Sequence, residues 1–113
     1  MIVKGKVIKY IANGYVLLGV NGKVLRAKTE VSLQPGRDYF MILTKNEESG
    51  TTRLKILEGA EISIVLFLIE KGITPDIEWL NFIKQLKSQH INYKRMSAGQ
   101  LAEEYNSFLK ENK

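Results

Sequence analysis

The chain has 113 residues, 44% of them hydrophobic and 26% charged, with a net charge of +5 and no cysteine. That length suits one compact domain or two small lobes sharing a core, and the composition is that of a globular protein, not a disordered one. Disulfide frameworks and thiolate metal sites are excluded. The longest apolar run, 62–69 broken only by Ser63, falls far short of the roughly 20 residues that span a bilayer.

The first residues, Met-Ile-Val-Lys-Gly-Lys, lack the long apolar stretch of a signal peptide. With the absence of cysteine, this leads us to expect a cytoplasmic protein. The charge divides at Gly59: residues 1–58 carry ten Lys/Arg against five Asp/Glu, whereas 59–113 carry seven of each. A basic first half followed by a neutral second half suggests an anionic partner for the first, although a basic face also serves solubility.

In the first half Asn13-Gly14 and Asn21-Gly22 each lie between β-branched, apolar runs. Asn-Gly readily supplies the two positive φ angles of a type I′ hairpin, so a three-stranded meander is predicted over 2–12, 15–20 and 23–30. Gln34-Pro35-Gly36-Arg37 fits a type II turn, because proline presets φ at its second position and glycine accepts a positive φ at its third. A fourth strand is predicted over 39–44 and a fifth over 51–57, joined by the polar loop 46–50. In strands three and five Leu25, Ala27, Leu54 and Ile56 fall on one face, and Arg26, Lys28, Arg53 and Lys55 on the other. Strand two is apolar on both faces, and the second half of the chain is available to cover its outer side. Five short strands favour a small antiparallel barrel of the OB or SH3-like type. The link over 31–38 is too short for the helix often found in OB-folds, which counts against the standard form.

From Gly59 the pattern becomes helical. Residues 60–71 suit a helix buried on nearly all sides, although their continuous apolar stretch is also compatible with a buried strand. Gly72 can end that helix. Thr74-Pro75 supplies an N-cap hydroxyl and a proline at the first helical position, predicting a second helix over 75–89 with Ile77, Leu80, Ile83 and Leu86 in its stripe. Ser97-Ala98-Gly99-Gln100 fits a capping box opening a third helix, whose apolar face is Leu101, Tyr105, Phe108 and Leu109. The expected organisation is therefore α+β: a basic barrel over 1–58 and about three helices over 59–113, packed on or beside it.

Catalytic chemistry finds little to work with. One histidine and no cysteine give no metal-ligand set and no Ser/His/Asp grouping, and no phosphate-binding glycine motif occurs. Glu47-Glu48 and Glu103-Glu104 read as solvated pairs, and His90 as the end of the second helix, where an imidazolium favours the helix dipole. No enzyme activity and no cofactor is expected. The remaining constellation is cationic: Arg26, Lys28, Arg53 and Lys55, joined by Lys4 and Lys6, would form an anion-binding face if strands three and five are neighbours. Tyr15 and Tyr39 are candidate platforms for stacking bases.

The order of Gly14-Tyr15-Val16-Leu17-Leu18, Gly22-Lys23-Val24-Leu25-Arg26-Ala27-Lys28-Thr29 and Leu33-Gln34-Pro35-Gly36 resembles the barrel-like segment of flagellar hook-length control proteins. Leu68-Ile69-Glu70-Lys71-Gly72-Ile73-Thr74-Pro75 is similar to the helical stretch that follows it there. The resemblance implies a non-enzymatic accessory of flagellar export or hook assembly that acts through protein contacts. The long polar spacer and separate C-terminal region of that family have no counterpart here, so its ruler-and-switch role is not implied. The leading expectation is a protein-interaction module, and the alternative is a nucleic-acid-binding barrel using the basic strip and the two tyrosines.

Overall fold

The computed structural model describes residues 1–112, which form two compact units, 1–58 and 59–112. The first contains β1 (Ile2–Tyr10), β2 (Tyr15–Val20), β3 (Lys23–Lys28), β4 (Asp38–Lys45) and β5 (Thr52–Ile56). The second contains α1 (Gly59–Glu70), α2 (Ile77–Ser88) and α3 (Ala98–Glu111).

The hairpin chemistry is as the dipeptides dictate. Asn13 and Gly14 adopt φ of 65° and 77°, and Asn21 and Gly22 adopt 51° and 76°, so asparagine tolerates the left-handed region where other side chains would be strained. Gly36 takes φ of 85° in the Pro35-Gly36 turn.

The strands close into a barrel in the order β1-β2-β3-β5-β4, with β4 returning to β1. That order is the OB connectivity, so the short link after β3 removes the usual helix without changing the topology. The barrel is not wholly antiparallel as expected, because β3 and β5 run parallel. The direction follows from the path: β3 to β4 is a crossover around the barrel, whereas β4 to β5 is a hairpin, which leaves β5 pointing the same way as β3. Inside, Val7, Val16, Leu18, Ala27 and Met41 are fully buried. Gly5 is where backbone and core approach most closely, since a Cβ there would meet Val20 Cγ2 at 3.1 Å and Met41 Cε at 3.3 Å.

In the second unit, residues 59–70 are helical, which decides between the two readings of the apolar run. Gly72, at φ 75°, ends α1 while Ile73 N–H donates to the Leu68 carbonyl. The start of α2 differs from expectation: its cap is Asp76, whose carboxylate accepts from Trp79 N–H at 2.8 Å, and not Thr74 with Pro75 at the first helical position. A short carboxylate is as good a cap as a hydroxyl and adds negative charge at the positive end of the helix dipole. His90 follows α2 at φ 60°, a left-handed position usually taken by glycine. Ser97 and Gln100 form the predicted capping box of α3, with both reciprocal hydrogen bonds present.

Aromatic rings tie α2 to α3. Trp79 stacks on Tyr105 with centroids 3.9 Å apart, and Phe82 meets Trp79, Tyr105 and Phe108 at 5.5–5.7 Å. Burial first, then the carboxylates of Asp76 and Glu78 and a hydrogen bond to Glu78, push the Tyr105 hydroxyl up to about 12. Because the fold favours the neutral phenol, this contribution is full below the ordinary tyrosine value of about 10 and is lost as pH rises through about 12. Thermal melts should therefore show wild type losing more stability than Tyr105→Phe between those pH values. Equal losses in both proteins would remove Tyr105 as the cause.

Candidate functional site

The barrel carries the cationic residues on its outer face, and register decides which of them meet. Lys28 of β3 stands directly opposite Arg53 of β5, the one register pair between these strands. Arg26 lies two residues before Lys28 and Lys55 two residues after Arg53, so these four form a diagonal strip across the parallel seam. Lys4 and Lys6 are also exposed, but they sit on β1 opposite Phe40 and Asp38 of β4, with Gly19 of β2 on the other side of Lys6. A strand intervenes between them and the strip on either side, so the six predicted residues do not make one patch.

The two tyrosines also separate. Tyr15 is opposite Lys28 on β2, and the Arg26 guanidinium lies 4.8 Å from its ring centroid. Tyr39 instead shares the inward parity of Met41 and Leu43 and packs against the barrel core. Its hydroxyl accepts from Gln34 N–H at 3.0 Å, and the Arg37 guanidinium lies 5.2 Å from its ring. It is therefore a wall of the barrel mouth and no part of the outer strip.

Beside the strip is a groove of about 720 Å3 that the sequence pattern did not indicate. Leu33, Tyr39, Leu54 and Ile56 supply its apolar lining, and Lys28, Arg53, Lys55, Glu30 and Glu58 its charged lining. Its origin is local. Thr29 Oγ1 accepts from Val31 N–H at 3.2 Å, a side-chain turn that bends the chain away from β5 directly after Lys28. The bent link is then pinned by Leu33 N–H donating to the Tyr10 hydroxyl. Glu30 swings to within 3.8 Å of the Arg53 guanidinium, an exposed pair worth little in stability.

Among the described residues there is no group of three or more His, Asp or Glu placed to hold a metal, and no helix is long and apolar enough to cross a membrane. No family model matches the chain, and no curated protein or solved structure matches it.

Proposed function

We propose that this chain is a non-enzymatic protein-interaction module that binds its partner at the β3/β5 seam. The observation supporting this reading is the composition of the groove there, an apolar lining edged by both signs of charge. A nucleic-acid backbone presents uninterrupted negative charge and is best met by cations alone. A mixed rim around apolar side chains instead suits a polypeptide, which brings both charges and apolar groups.

On the strength of the motif order through 14–18, 22–29 and 33–36, the flagellar export apparatus is the first place to seek that partner. Affinity capture with wild type and with a variant carrying Arg26→Glu, Lys28→Glu, Arg53→Glu and Lys55→Glu tests the module. A specific protein retained by wild type and lost from a variant with unchanged circular dichroism is expected. Salt-sensitive binding of labelled single-stranded DNA, with no protein distinguishing the two baits, would transfer the strip to the nucleic-acid reading.

A further inference from the structure

The edge of β5 along the groove carries backbone groups without ladder partners. Leu57 N–H donates to the Phe40 carbonyl and Asn46 N–H to the Thr51 carbonyl, which fixes the alternation of the β4–β5 ladder. Residues 53 and 55 then turn their backbone groups toward β4, and residues 52, 54 and 56 turn theirs the other way. Lys28 is the only β3 residue in register with this outer edge, at Arg53. Beyond it, the Leu54 carbonyl and the Ile56 N–H face the space that β3 leaves when Thr29 bends away.

If β3 ran straight on, Glu30 would stand opposite Lys55, since Lys28 stands opposite Arg53 in a parallel pair. The chain's own sequence thus places a carboxylate at the register of Lys55, but the bend turns Glu30 toward Arg53. Neither Lys28 nor Lys55 has an ion-pair partner among the described residues. A strand laid in the vacated lane would put one outward side chain beside Lys55 and about 7 Å beyond Lys28, the spacing of alternate residues. Its neighbours on either side would point inward at Leu33, Leu54 and Ile56.

We infer that the seam takes an extended peptide of alternating acidic and apolar residues, added as a strand along the free edge of β5. This rests on the protein-interaction role proposed above and specifies its partner's chemistry. Main-chain hydrogen bonds supply affinity and alternate side chains supply selectivity, as in other cases of strand addition. The groove volume lies within the ordinary range for binding pockets.

The test uses the full chain and a fluorescein-labelled Val-Glu-Val-Glu-Val peptide followed by anisotropy, with amide exchange read by NMR. We expect saturable binding, loss of affinity by about tenfold or more in Lys28→Glu/Lys55→Glu, and no binding of the Val-Lys-Val-Lys-Val peptide to wild type. Ile56 N–H exchange should slow on binding while Leu57 N–H, already bonded, should not change. N-methylation of the peptide backbone should abolish the complex. Binding without protection of Ile56 would overturn strand addition, and equal binding by a charge-matched single-stranded oligonucleotide would overturn the acidic-peptide chemistry. No peptide binding, together with a protein captured through the four cations, would overturn this inference and leave the module intact.

Discussion

Leu18→Ala should lower the stability of the barrel by about 2–5 kcal/mol, the range for truncating a fully buried leucine. Leu18 stands between Val7 and Leu25 in register on the neighbouring strands and belongs to the cluster that includes Val16, Val20 and Met41. The strand that carries Leu18 has little freedom to collapse around a missing side chain, because β2 is paired along its length with β1 on one side and β3 on the other. The upper half of the range is therefore expected. Urea unfolding followed by NMR signals of residues 1–58 measures it. A loss below about 1 kcal/mol would mean that the barrel interior repacks freely, contrary to its close packing.

Phe82→Ala should destabilise the helical unit by about 3–5 kcal/mol. Phe82 is only 3% exposed, and its ring meets those of Trp79, Tyr105 and Phe108. Truncation removes these edge contacts along with the buried area, and each such pair adds about 0.5–1.5 kcal/mol beyond burial. Trp79 is the chain's single tryptophan and stacks on Tyr105, so its fluorescence reports this unit directly. Unchanged denaturation by that probe would show that the aromatic cluster does not hold α2 to α3.

Much of the architecture was written in short-range chemistry. The two Asn-Gly pairs, Pro35-Gly36, Gly72 and the Ser97–Gln100 box each impose a backbone conformation or satisfy end groups within four residues. Such features can be read without knowing what packs where. At α2 the same reasoning chose the wrong cap, since Thr74-Pro75 and Asp76 are adjacent and each has a valid capping logic; the Asp76 to Trp79 bond decided it.

The site was less legible because it depends on register. Alternation in β3 and β5 identified four outward cations, but their meeting depends on the single pairing of Lys28 with Arg53. Lys4 and Lys6 share the outward alternation that groups them with these four in sequence, yet an intervening strand separates them from the strip. Tyr39 is a candidate platform in sequence because Phe40 stands beside it, so that one of the two rings must face inward and the strand start does not say which. Its inward parity follows from how β4 pairs with β1, where it lies opposite Gly5. The groove depends on a bend at Thr29 that a threonine in a β-branched stretch does not announce.

The bend at Thr29 also bears on how the protein behaves at high concentration. A strand margin with unused amide groups is a surface on which two identical molecules can join their sheets, the step that begins ordered precipitation. Lys28, Arg53 and Lys55 outnumber Glu30 and Glu58 around that margin, so two such margins brought together would confront a net like charge. The protection is electrostatic, and it weakens as salt shortens the reach of those charges. Salt is therefore expected to promote association of this chain, and acidic substitutions at both lysines in one molecule would create a margin complementary to the unmodified one.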